Sequence, residues 1–349
     1  MRHNILASAI INIFNEQAKE AVREKKKEPY ILLYVDAKPS ESIQKHELPG
    51  LGVAAIFVYS KDAKTVDVPI KQYKEYGRSE KAAKALELKN WMKAERERNN
   101  LTIVGFMNAL DQSSAARLGL DLIEELPDTR IEKHYNQYRL YFGNEHIDFA
   151  HAVALLYYMF TVSFAILLVA LSIDEAHREH MIALLDRFPD ESKGGVVPGN
   201  KSPTTQGMKF MHFLKANAKT FTGIDAKNKA SGIAYRLDTL EGWKSKVDEK
   251  WKDPKKHPHF TLVDWLVAAA IAHRFPEKFV EEFRSSKLGK KKRNAEDTQE
   301  ALEQLYQEFK KHKIFEIADE RTLGMIKSDK KQWEVPGEAK QFIYDRAAG

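Results

Sequence analysis

The sequence predicts a mixed α/β fold. Short apolar runs with the profile of buried strands, at 30–35 (YILLYV) and 101–107 (LTIVGFM), alternate with longer segments whose apolar residues recur at helical spacing, as in 79–99 and 261–275. With 349 residues, 43% of them hydrophobic, the chain can bury a sizeable core, which excludes disorder as its overall state. It has no cysteine, so disulfides, thiolate nucleophiles and cysteine-held zinc are excluded, and any metal must be held by Asp, Glu or His.

Residues 3–22 place Ile5, Leu6, Ile10, Ile13 and Phe14 at helical spacing and predict an N-terminal helix. The run 30–35 is apolar on both faces and ends at Asp36, the profile of a central strand with a carboxylate at its carboxyl end. Residues 52–59 predict a second strand. The alternation Val66, Val68, Ile70 predicts a third over 65–70, joined tightly enough to the second to open the sheet as an antiparallel meander. A long helix over 79–99 stops at Asn99 and Asn100, and a fourth strand follows at 101–107. Residues 115–126 are read as helical, and the Tyr-rich stretch 134–142 is left unassigned.

No charge occurs from 152 to 172, a run long enough to span a bilayer. Its acidic flanks carry no basic anchor, and a helix feeding a buried strand at 166–173 reproduces the pattern without lipid, so no membrane partner is expected. That strand would end at Asp174 and Glu175. Residues 176–188, with Met181, Leu184 and Leu185, are read as the next helix. A Gly, Pro and Ser rich loop covers 193–207, and 208–260 has no clear periodicity. The segment 261–275 is apolar on most faces, a buried helix with Asp264 on its first turn. A basic linker, 287–293, leads to an amphipathic helix over 295–313 through Leu302, Leu305, Tyr306 and Phe309. The expected organisation is one domain over 1–285, with an inserted loop region at 190–260, and a linker with a helical extension over 286–349. The N-terminus lacks the pattern of a signal peptide, so a cytoplasmic location is expected.

Familiar catalytic motifs fail on spacing. Residues 194–202 (GGVVPGNKS) put Asn200 between the glycine and Lys201, unlike a phosphate-binding loop. His177 and His180 share a helical face but lack the His-Glu-x-x-His order, and no Gly-x-Ser-x-Gly elbow is present. What remains is a set of acids in apolar surroundings: Asp36, Glu87, Asp174 and Asp264. Taken singly, Asp36 and Asp174 fit strand-end turns and Asp264 a cap-like role. Gathered at one sheet edge they would repel one another, and hard oxygen donors of that kind suit Mg²⁺ or Mn²⁺.

The order of elements resembles the ribonuclease-H-like fold: three antiparallel strands with an Asp on the first, a helix carrying a Glu, further strands and a closing helix with an Asp. More narrowly it looks like a bacterial family of uncharacterised domains whose first strand reads Tyr-x-Asp-Glu-Ser-Gly. The matching places are Y34-V-D36, E87-L-K89, I173-D174-E175 and L262-V-D264-W-L-V-A-A. The resemblance covers roughly 28–275 and implies a metal-dependent nuclease hydrolysing phosphodiester bonds of RNA or DNA. In it Asp36 bridges Mg²⁺ or Mn²⁺ ions, Asp174 and Asp264 complete their coordination, and Glu87 ligates or orients water. Ala37-Lys38-Pro39-Ser40 departs from the family pattern after Asp36. It loses an acid and adds a base, which favours the alternative of a catalytically degenerate interaction subunit of a defence or mobile-element assembly, with a protein partner or a second copy. A nucleic-acid partner accords with the 56 Lys+Arg against 50 Asp+Glu, a net charge of +6, with basic runs at 23–27, 244–256 and 287–293, and with Trp243, Trp251 and Trp265 as stacking faces.

Overall fold

The apolar run around Tyr34 forms a strand buried at the middle of a sheet. The computed structural model describes residues 31–38, 50–60, 66–124, 126, 128–157, 181–185, 206–207, 209–210, 213–214, 236–239, 259–285, 293–316 and 336–348. Strand β1 (Ile31–Lys38) pairs antiparallel with β2 (Gly50–Ser60), Asp36 standing opposite Ala54, and β2 pairs antiparallel with β3 (Leu101–Asp111). On the other edge of β1, strand β7 (Met181–Leu185) runs parallel, with Val35 opposite Leu185, and β8 (Arg236–Thr239) runs parallel to β7. With β9 (Ile314–Glu316) parallel to β3, the order across the sheet is β8-β7-β1-β2-β3-β9. The fold is mixed α/β, as predicted.

Two assignments are corrected. Within 66–70 there is no strand, although Val66, Val68 and Ile70 are buried: Pro69 has no N–H to give a ladder, so the segment packs its side chains without pairing. The third antiparallel strand is β3 instead, reached through helix α1 (Arg78–Glu97). The predicted helix over 176–188 contains β7, because an interior parallel strand is apolar on both faces and its short run carries no diagnostic period. The predicted strand at 166–173 and the N-terminal helix lie outside the described residues.

Helix α2 (Gln112–Glu124) begins where Asp111 Oδ1 accepts the Ser114 amide at 2.9 Å. A second sheet of β4 (Thr129–His134), β5 (Gln137–Phe142) and β6 (Glu145–Asp148) accounts for the unassigned Tyr-rich stretch. It leads into a helical run at 149–157, where Tyr157 Oη donates to Asn108 Oδ1 of β3 at 3.1 Å. Among the described residues no helix is long and apolar enough to cross a membrane.

The other face of the main sheet carries α3 (His259–Arg274), followed by α4 (Pro276–Ser285) and α5 (Arg293–His312). Leu302, Leu305, Tyr306 and Phe309 of α5 enter the same core as α3 and β1–β3, so the chain beyond 286 builds onto the core. The final helix, α6 (Gly337–Ala348), docks on the small sheet through Glu338, which accepts from Tyr138 Oη at 2.9 Å.

Gly105 sets the β2–β3 spacing: a Cβ there would strike the carbonyl oxygen of Ala55 and come within 2.9 Å of Ile56 Cα. Backbone cannot yield as a side-chain tip can, so Gly105→Ala is expected to lower stability by about 1–3 kcal/mol in urea denaturation. Between α1 and α5, burial pushes the His312 imidazole down from 6.5 to about 4, with Glu308 opposing and Arg96 reinforcing the shift. The unfolded chain therefore binds the proton first. Stability from this group is complete above pH 6.5 and is lost as pH falls from 6.5 towards 4, by up to about 3 kcal/mol. His312→Leu is expected to flatten that slope in denaturant titrations across the same window.

Candidate functional site

The centre of interest is the carboxyl end of β1 and the helix laid across it. Tyr34 of β1 meets α3 through Phe260, with ring centroids 5.2 Å apart, and through His259 at 4.7 Å. Asp36, two residues on, shares that face of the pleat and is half-buried. Further along, a side chain at Gly52 would meet Val267 Cγ1 at 2.8 Å and Ile271 at 3.1 Å, so the absence of a Cβ lets α3 lie directly on the sheet. Burial raises the Tyr34 phenol pKa, keeping that group neutral beside the acid.

Asp264 stands one turn beyond Phe260 on α3 and is buried. Its Oδ2 accepts the backbone amide of Tyr73 at 2.5 Å. Next to it Trp265 Nε1 donates to the Lys71 carbonyl at 2.8 Å, and the Tyr73 ring stands edge-on to the indole at 5.1 Å. These contacts clamp the segment leading into α1 against α3. They also correct the reading of Trp265 as a stacking face, since its ring is wholly buried. Trp243 and Trp251 lie outside the described residues.

The four acids named from sequence thus have different fates. Asp36 lies two residues beyond Tyr34 and Asp264 one turn beyond Phe260, the two residues whose rings meet. Glu87 is on the outward side of α1, its side chain 42% exposed and 2.7 Å from Lys84 Nζ, while Lys81, Ala85, Leu88 and Met92 form the inward side. Asp174 lies outside the described residues. Among the described residues no three acidic or histidine side chains group closely enough to hold a metal ion. Asp36 and Asp264 still supply hard carboxylate oxygen, the donor type that Mg²⁺ and Mn²⁺ take.

Sequence reasoning passed over Lys81 and Tyr73. Lys81 is 3% exposed, with its Nζ 3.9 Å from the centroid of the Tyr73 ring. The signal was present: Lys81 falls on the stripe continued by Ala85, Leu88 and Met92, at a spacing where a helix places its buried residues.

Replacing Asp264 by Ala removes the acceptor of a buried amide and is expected to lower stability by about 1–3 kcal/mol, read by thermal or urea denaturation. Asp264→Asn, which keeps an acceptor oxygen, is expected to lose less than Asp264→Ala. Comparison with protein-family models, curated proteins and solved structures finds no match to this chain.

Proposed function

We propose that the chain is a metal-dependent nuclease with a ribonuclease-H-like core, hydrolysing phosphodiester bonds of RNA or DNA. The observation that carries this reading is the setting of Asp36. It lies near the carboxyl end of the strand where the sheet changes sense, with antiparallel β2 and β3 on one side and parallel β7 and β8 on the other, and the helix bearing Asp264 packs on the same face. Three antiparallel strands led by an Asp-bearing strand, with further strands beside them and a closing helix with an Asp, are the arrangement the sequence resemblance calls for.

Val35 and Leu185 are partners in the parallel ladder. On this reading Asp36, Asp174 and Asp264 hold Mg²⁺ or Mn²⁺, and Glu87, on the outward side of α1, takes no part. The bound cation would supply the charge that draws the phosphate and acidifies water beside it. Asp36 contributes a carboxylate in a half-buried setting. Asp264 is held in place by the Tyr73 amide.

A second reading has one observation in its favour: Asp264 already serves as the buried acceptor for Tyr73, a role sufficient to retain it in a degenerate interaction subunit. Calorimetry with Mn²⁺ separates the two, because only the nuclease reading requires binding that Asp36→Asn removes.

The nuclease reading expects Asp36→Asn to lower Mn²⁺-stimulated cleavage of RNA and DNA oligonucleotides at least about a hundredfold while leaving the thermal transition in place. Asp174→Asn should do the same. Equal cleavage by wild type and Asp36→Asn would refute the assignment.

A further inference from the structure

The small sheet has an open edge. Strand β4 is its outer strand, and among the described residues no backbone hydrogen bond reaches β4 from any side but β5. Ladder bonds alternate along an antiparallel pair, so every second residue of β4 turns its N–H and C=O outward, a template for a further strand. The side chains from Arg130 to His134 are exposed, apart from half-buried Ile131. The other edge strand, β6, is engaged: Glu145 is paired with Lys209, and Asp148 Oδ1 accepts the His151 amide at 3.1 Å where the next helical run begins. On β4, Arg130 and Glu132 stand two residues apart on one face, 2.7 Å from each other, with side chains 61% and 47% exposed. The Arg130 guanidinium lies over the Tyr141 ring of β5 at 4.7 Å, which keeps it on the sheet face. Lys133, the type of residue that guards an edge, is tied instead to Glu338 of α6 at 3.1 Å.

We infer that β4 is a self-association edge: β4 of a second copy of the chain pairs antiparallel with it about a two-fold axis at Ile131, joining the two small sheets into one continuous sheet. Charge complementarity selects both the occupant and the register. With the axis at Ile131, Arg130 stands opposite Glu132 of the second copy and Glu132 opposite its Arg130, so one strand generates two opposed pairs. Ile131 then meets its own copy, and Lys133 faces uncharged Thr129. A register centred on Arg130 or on Glu132 would instead set like charges face to face at the axis, which is destabilising. The inference does not rest on the nuclease reading.

The test is sedimentation equilibrium of the full chain at concentrations up to about 100 μM, where micromolar association is populated. Wild type is expected to show a monomer–dimer equilibrium. Arg130→Glu and Glu132→Arg change exposed positions and leave the thermal transition in place, yet each should weaken dimerisation at least about tenfold by setting like charges opposite one another. An equimolar mixture of the two single variants should recover the dimer, because every Glu again faces an Arg, and so should the double variant carrying both reversals. The chain has no cysteine, so Ile131→Cys adds its one thiol. Directly opposed residues of an antiparallel pair have Cα atoms about 4.5–5.5 Å apart, within disulfide reach. Mild oxidation of Ile131→Cys is therefore expected to give a covalent dimer, whereas Glu97→Cys, exposed on α1, should stay monomeric on denaturing gels. A wild-type chain that remains monomeric, a dimer indifferent to both reversals, no recovery on mixing, or no cross-link through Ile131→Cys would each overturn the inference.

Discussion

Helix α3 has no face it can show to water. From His259 to Ala272 every residue is buried, so the helix is stable only where other elements enclose it on all sides. The sheet closes one side through Tyr34, Gly52, Ala54 and Ile56, and α5 closes another through Tyr306, stacked on His273 at 4.1 Å. The segment 66–76 closes a third, with Val66, Val68, Ile70 and Tyr73 in the same core. Much of the architecture follows from this enclosure. Elements as distant in sequence as β1 and α5 must fold around one apolar rod, and the apolar area removed from water there is the main favourable contribution to stability.

That enclosure gives the charges within it their meaning. An acid inside an apolar helix costs several kcal/mol unless its oxygens are met. Asp264 meets that requirement by capturing an amide from the segment that has no ladder of its own, which in turn fixes Tyr73 beneath Lys81. The Glu308 cluster solves the same problem differently. Burial raises its carboxyl, the hydrogen bonds from Arg96 and Lys311 outweigh burial, and the group stays below the usual carboxylate range. One buried acid is thus met by two cationic side chains, whereas the other accepts a backbone amide.

Elements with their own periodicity were legible in the sequence: α1, α3 and α5 stand close to where spacing placed them, as do β1, β2 and β3. The failures share a cause. In 65–70 the alternation of apolar residues was real, and it reported burial; only Pro69 told that no ladder could form. In 176–188 the run Met181–Leu185 was too short to reveal a period, and the longer apolar stretch before it drew the strand assignment. MIALLD at 181–186 repeats the form of YILLYVD at 30–36, an apolar run closed by Asp, and that likeness was the available signal. For the site, Asp36 and Asp264 were found from apolar neighbourhoods. Glu87 was chosen by its helix without regard to which side of the helix it occupies.

Strand sense sets the carboxyl end of β1 apart from the rest of the sheet. β1 and β7 are parallel, so both end at the same edge of the sheet, while antiparallel β2 begins there. The two strands therefore bring Val35 and Leu185 side by side, although about 150 residues separate them along the chain. Neither strand alone can collect acids, since side chains in one strand alternate between faces and only every second one meets α3. Convergence requires a parallel neighbour and a helix over the same face, and β1 has both. The change of strand sense at β1 is thus what brings two strand ends and a buried helix to one place in the fold.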